Sequence, residues 1–230
     1  MNTENSLRAC PPAATLCIST ENIQSRYYYS RRGQTMAKAS KQKARRRIPD
    51  VLTGEERAAL LKIPNPRYIS GLRNRCLLQV MTDTGLRCAE AIKLKPGDIK
   101  WKENRLIVRE GKGGDDRALP LNQDLLGWLK RWQEARPKGA KTFFTTIKGG
   151  KLSDRYVRKM VERYAERACI ADKHVHPHTL RHSFATETYR KTKNLRLTQK
   201  MLGHKSISTT MIYTHVSDEE AETAMAEIWT

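Results

Sequence analysis

The regular alternation of apolar and polar positions begins after Pro49. Thr53 and Glu56 stand at capping-box spacing ahead of Arg57-Ala-Ala-Leu-Leu61, so a helix starts near residue 54. Leu72, Cys76, Leu77, Val80 and Met81 then recur at intervals of three and four, which predicts a helix over about 70–83 with these residues on one face. Gly85 is well placed to end it, because glycine enters the left-handed region without a Cβ penalty. A short helix is expected at 87–94, stopped by Pro96-Gly97. Here the pattern shortens. Ile99–Trp101, Arg105–Arg109 and Arg117–Leu121 read as strands, separated by turns at 102–104 and 111–116. Helices resume at about 122–135 and 154–168, the latter capped by Ser153. Four short helical stretches follow near 178–190, 195–202, 207–213 and 218–228. Neither an internal repeat nor heptads occur. The expected fold class is α+β: mostly α-helical, with a small three-stranded antiparallel sheet.

Charge adds a partner to this picture. The chain of 230 residues carries 44 Lys/Arg against 24 Asp/Glu, a net charge of +20. Residues 1–47 hold ten of those cations and two of the acids, so an excess of twelve remains for residues 48–230. Folding alone does not call for this excess. It points to a polyanion, nucleic acid ahead of an anionic membrane. No run of eighteen apolar residues occurs, which excludes a membrane-spanning helix of the ordinary kind. Lys38, Lys41, Lys43, Arg45, Arg46 and Arg47 follow one another with no acid between them. They form either a solvated arm or one that grips phosphates. The two readings are compatible, because counterion release needs no fold. Residues 1–47 are therefore expected to be a basic, disordered arm, with Met36 as a second candidate start. The five cysteines are odd in number and lack a CxxC pair, which argues against a disulfide framework and for a reducing compartment. Pro11 and Pro12 break the N-terminal apolar stretch, so no secretory signal is read there. Its acid-poor, Arg-containing character is compatible with a transit peptide.

The candidate chemistry lies toward the C-terminus. All six histidines fall between 174 and 215: His174, His176, His178, His182, His204 and His215. His174-Val-His-Pro-His178 is one place for a metal, although Pro177 restricts the backbone and carboxylates are few nearby. Alternatively, His178 and Arg181 share a helix face and hold a phosphate between imidazole and guanidinium. Arg87 and Glu90, three apart at a helix start, make a local ion pair or part of a site. Gly111-Lys-Gly-Gly114 makes a hairpin tip that projects Lys112. Gly203 and His204 form a turn before a helix capped by Ser206, which carries Tyr213 near its end. Taken singly, Tyr213 reads as a buried structural tyrosine and His204 as a surface turn.

In combination these segments resemble the tyrosine recombinases, or phage integrases, over about residues 50–216. Thr84-Gly-Leu-Arg87 with Glu90 resembles the first-arginine box, and Lys112 ahead of Arg117-x-Leu-Pro-Leu121 the hairpin lysine. His178-Thr-Leu-Arg181-His-Ser-Phe-Ala-Thr186 is similar to the second-arginine box, and Leu202-Gly-His204 with Tyr213 nine residues on to the closing motif. The resemblance implies that Arg87, Lys112, His178, Arg181 and His204 surround a scissile phosphate, that Tyr213 is the nucleophile, and that Glu90 supports the site. It implies a site-specific DNA recombinase working through a 3′-phosphotyrosyl intermediate, without metal or other cofactor. The partners would be double-stranded DNA and further copies of the chain, as a tetramer on synapsed sites. No membrane is involved, and the location would be cytoplasmic, at the nucleoid in a bacterium. The Lys38–Arg47 arm would bind DNA, and residues 48–216 would be the catalytic domain. Residues 217–230 would be a C-terminal helix, packed on its own domain or exchanged between subunits. One departure matters: relatives carry a helical DNA-binding domain before the catalytic part, and here about fifty residues precede it. The chain is thus either a compact recombinase or a fragment. Two rivals remain: a type IB topoisomerase-like nicking and resealing enzyme, and a non-catalytic DNA-binding protein that keeps the fold.

Overall fold

The computed structural model describes residues 50–109, 116–170, 172–204 and 210. The arm, Lys112, Tyr213 and the helices expected at 207–213 and 218–228 lie outside the described residues. Helix α1 (Gly54–Lys62) opens with the expected capping box: Thr53 Oγ1 accepts the Glu56 N–H, and Glu56 Oε2 accepts the Thr53 N–H at 2.6 Å. Helix α2 (Ile69–Thr84) departs from expectation. Its apolar face is buried, but so are Arg73, Asn74, Gln79, Thr82 and Thr84. Helix α2 therefore runs through the middle of the molecule rather than along its surface. Thr82 and Thr84 bond to carbonyls of their own helix, whereas Arg73 and Asn74 are satisfied by distant groups. Arg73 donates to Asn74 Oδ1, to the Thr145 carbonyl at 3.0 Å and to the Tyr156 hydroxyl, while Asn74 Nδ2 donates to Tyr164 at 2.8 Å. At the other end Asp83 accepts from Arg57, Thr82, Asn122 and Gln79.

Helix α3 (Cys88–Lys93) leads through a 3₁₀ turn at Pro96–Asp98 into the sheet, a refinement of the plain stop expected there. Strands β1 (Ile99–Lys100), β2 (Arg105–Val108) and β3 (Arg117–Pro120) pair antiparallel in chain order. Leu106 lies opposite Leu119, and Val108 opposite Arg117. With a side-chain period of two, Leu106, Val108, Arg117 and Leu119 all face inward. Helices α4 (Gln123–Ala135) and α5 (Asp154–Arg167) are capped by Asn122 and Ser153. Between them, residues 136–153 have no helix or strand of their own yet bury Phe143 and Phe144 completely. The Trp132 indole and the Arg136 guanidinium donate to carbonyls of this stretch, and the Phe143 N–H donates to Leu94 O at 2.6 Å.

The 178–190 stretch is a full helix, α6 (Pro177–Thr192), and α7 (Leu195–Leu202) follows it. A strap of chain ahead of α1 fastens the turn before α6. Asp50 accepts the His174 N–H, the Leu52 N–H donates to Ser183 Oγ at 2.8 Å, and Lys173 donates to both Glu56 oxygens at 2.7 Å. Among the described residues no helix is long and apolar enough to cross a membrane.

Candidate active site

Gly85 closes α2 with φ of 62°, where a side chain is strained. A Cβ there would also come within 2.3 Å of the Phe184 ring. Glycine is thus required twice, by the turn and by the close approach of α6. The Gly85 carbonyl accepts from Arg181 Nη1 at 2.6 Å, and Arg181 Nη2 donates to the Leu202 carbonyl at 2.7 Å. The buried Arg181 guanidinium therefore bridges the end of α2 and the end of α7.

Arg87 is the residue that enters α3, and its side chain is 39% exposed. Its backbone N–H and its Nη1 donate to the two oxygens of Glu90, at 2.8 and 2.7 Å. Glu90 is thus the cap of α3 as well as the partner of Arg87. Arg117 Nη2 donates to the same carboxylate at 2.8 Å, and Arg117 Nε to the Met201 carbonyl at 3.1 Å. Burial raises the Glu90 carboxyl, but Arg117 and Arg87 outweigh it and hold the group below the ordinary carboxylate range.

His204 follows Gly203, which ends α7 in the left-handed region with φ of 66°. Its backbone is paired both ways with Gln199, and its Nδ1 lies 2.9 Å from Thr210 Oγ1. Burial, followed by the charges of Arg181, Arg87, His182 and Arg117, pushes the His204 imidazole down to about 4. All three guanidiniums therefore act on one ring, although they come from α3, β3 and α6. His182 is likewise pushed down to about 4, by burial first and then by His178, Arg181 and His176. Both rings are neutral near pH 7.

His178 sits in the first turn of α6 and is exposed, whereas Arg181, one turn on, is buried. Its charge lowers both Asp154 and His182, so it borders the same region. His174, His176 and His178 do not converge on a point. The first two rings stack at 5.3 Å, and His176 and His178 meet edge-on at 5.8 Å. His176 Nδ1 caps α6 by accepting the Thr179 N–H at 3.3 Å. Among the described residues no group of three or more His, Cys, Asp or Glu is placed to hold a metal ion.

The structure thus brings together Arg87, Glu90, Arg181 and His204 of the expected set, with His178 at the border. Lys112, Tyr213 and Lys38, Lys41, Lys43, Arg45, Arg46 and Arg47 lie outside the described residues. Arg117 and His182 were not expected. A signal for Arg117 was present in the strand pattern, as a cation at an inward-facing register. Chemically, three fixed guanidiniums share the region with one bridging carboxylate and two neutral imidazoles. Such a set of preorganised donors is suited to a phosphate, on which negative charge grows during transfer.

The fold is mostly helical with a small three-stranded antiparallel sheet, and it carries an arginine cluster joined by one carboxylate. The chain belongs to the phage integrase family, whose model matches residues 50–220. It is 40% identical over 181 residues to the tyrosine recombinase XerD of Staphylococcus saprophyticus, covering 76% of this chain and 61% of that protein. The XerA recombinase crystal structure superposes with a TM-score of 0.69 at 27% identity, over 80% of this chain and 66% of that one. The XerH site-specific recombinase bound to palindromic difH substrate in a post-cleavage complex gives 0.68 at 35% identity, over 80% and 54%. The chain spans about three fifths of the length of the curated relatives it matches.

Proposed function

We propose that the chain is a site-specific DNA recombinase, which cleaves and rejoins strands through a covalent 3′-phosphotyrosyl intermediate. The observation that carries this reading is the frame in which Arg181 bridges the ends of α2 and α7, just ahead of His204, while Glu90 joins Arg87 to Arg117. In the reaction, Arg87 and Arg181 clamp the non-bridging oxygens of the scissile phosphate. Arg181 is held by the carbonyls of Gly85 and Leu202, so little reorganisation is needed when charge develops. The Tyr213 phenol attacks phosphorus. A free phenol has a pKa of about 10, so its proton must be drawn off, and the nearby cations favour the phenolate. His178 accepts that proton. The phosphorus–5′ oxygen bond breaks, and Lys112 gives the leaving oxygen its proton. The phosphodiester energy is kept in the tyrosyl ester, which a 5′ hydroxyl of the partner strand attacks in reverse. Neutral His204 adds a hydrogen bond to the phosphate. Guanidiniums, a lysine and imidazoles supply the charge that two-metal nucleases take from cations.

In this reading residues 48–216 are the catalytic domain. Residues 1–47 are an arm that grips DNA through Lys38, Lys41, Lys43, Arg45, Arg46 and Arg47. Residues 217–230 are a terminal helix exchanged between the four copies of a tetramer on two synapsed sites. The XerH complex with its difH substrate, at 35% identity, supports double-stranded DNA as the partner. The site of action is the cytoplasm, at the nucleoid in a bacterium.

The test is a nicked duplex that traps the covalent intermediate. The unsubstituted chain is expected to form a protein–DNA adduct, undiminished by chelator, with attachment mapped to Tyr213, and Tyr213→Phe is expected to form none. Abolition by chelator with rescue by a divalent ion, or attachment elsewhere, would overturn the site. A two-site exchange assay separates recombination from simple relaxation of supercoils.

A further inference from the structure

We propose that Arg117 is a positioning residue for strand transfer, fixing Arg87 through Glu90 and the His204 turn through the Met201 carbonyl. This inference rests on the recombinase reading above. Arg117 occupies an inward register of β3, opposite Val108, where an apolar side chain is the ordinary occupant. Its side chain is only 7% exposed. A buried guanidinium is unfavourable unless it is paired, and its pairing tells what it is for. One arm reaches Glu90 Oε2 at 2.8 Å, and Nε reaches Met201 O at 3.1 Å. Through these two partners it acts on Arg87 and on the end of α7.

The Glu90 contact does more than anchor a carboxylate. Glu90 also accepts from the Arg87 backbone and from Arg87 Nη1. With Arg117 on the same carboxylate, Glu90 is shared between two cations and cannot turn wholly toward Arg87. Arg87 is thereby oriented without being neutralised, which keeps it available to a phosphate. The Met201 contact acts on another part of the site. Met201 and Leu202 are the last two residues of α7, and their carbonyls are taken by Arg117 and Arg181 respectively. Cations suit the negative end of a helix. Gly203 and His204 follow directly, so the placement of that turn is set by two guanidiniums. Arg117 also opens β3, so its anchoring fixes the start of that strand. One buried side chain thus ties Arg87 and the His204 turn to a common frame.

The experiment uses the full chain with Arg117→Lys, Arg117→Met, Glu90→Gln and the Arg117→Met/Glu90→Gln pair. Single-turnover adduct formation on nicked duplex and DNA affinity are measured for each. Arg117→Met is expected to slow adduct formation by about a hundredfold with affinity little changed, the scale of loss for a reacting group misplaced by about 1 Å. Arg117→Lys retains the charge but cannot span both partners, and it is expected to fall between the two. The double variant is expected to be no slower than the slower single variant, because both act on Arg87 through one carboxylate. A wild-type rate in Arg117→Met, or losses that multiply in the pair, would overturn the proposal. A second readout needs no catalysis and survives poor folding of Arg117→Met: the proton resonances of the His204 ring in Arg117→Lys. Displacement of the turn shifts them although the charge is conserved, and unchanged resonances reject the positioning role. Absence of any adduct from the unsubstituted chain rejects the recombinase reading instead, leaving the His204 resonances to decide on Arg117.

Discussion

His182 and His204 are both half-buried near Arg181, and burial together with that charge pushes both imidazoles down to about 4 from the ordinary value of about 6.5. Between those two values the unfolded chain binds protons that the folded chain refuses. Their contribution to stability is therefore complete above about pH 6.5 and declines as pH falls toward 4. Glu90 and Glu56 have lowered carboxyl values, so what they contribute is lost only below the ordinary carboxylate range. The window from pH 6.5 to 5 thus isolates the histidines. Calorimetry is expected to show the melting temperature falling across that window, and falling less in a His182→Asn/His204→Asn variant. Equal slopes in the two proteins would place the titrating groups elsewhere. The neutral state has a consequence at this scale: a neutral ring leaves the local positive charge to guanidiniums, which cannot lose it near neutrality.

At the scale of elements, α2 shows where charge networks take over from apolar packing. Asp83 is 4% exposed and gathers donors from α1, from its own helix and from the cap of α4. Asp83→Ala would strand those donors, and urea unfolding is expected to show a loss of about 3 kcal/mol. A loss below half that figure would mean that the Asp83 pairs are solvent-screened. The network also explains which elements the sequence made legible. Thr53 with Glu56, Ser153 and Gly85 act on residues within one turn of themselves, so the ends they define can be read locally. The burial of α2 on all sides could not be read this way. Arg73 and Asn74 look like a solvent face until Thr145, Tyr156 and Tyr164 arrive from far along the chain. Residues 136–153 escaped for a related reason. They are held by side-chain donors to their carbonyls and by bulk aromatic burial, neither of which leaves a period. In the site, the resemblance to the tyrosine recombinases pointed to Arg87, Glu90, Arg181 and His204. Arg117 gained meaning only when the register of β3 put it next to Glu90.

For the whole molecule, the excess of positive charge is divided between residues 1–47 and residues 48–230, with eight on the first and twelve on the second. Contacts made by exposed cations to phosphates release counterions, so each weakens binding on a log–log salt plot by a slope of about 0.9. Removing residues 1–47 is expected to lower DNA affinity and flatten that slope by several units, since ten cations are lost, six of them between Lys38 and Arg47. The arginine cluster around Glu90 would be untouched, so under the proposed function adduct formation at saturating DNA is expected to persist. An unchanged slope in the deletion would remove the arm from the interface.

The bridging carboxylate of Glu90 has a thermodynamic corollary. Three guanidiniums are kept close by one shared anion and by neutral carbonyls, so without a polyanion the pocket carries mutual repulsion as latent energy. Any small oxyanion that settles there relieves it and preferentially stabilises the native form. Buffer composition thereby becomes a variable of the protein's heat tolerance: phosphate or sulfate would shield it where chloride would not.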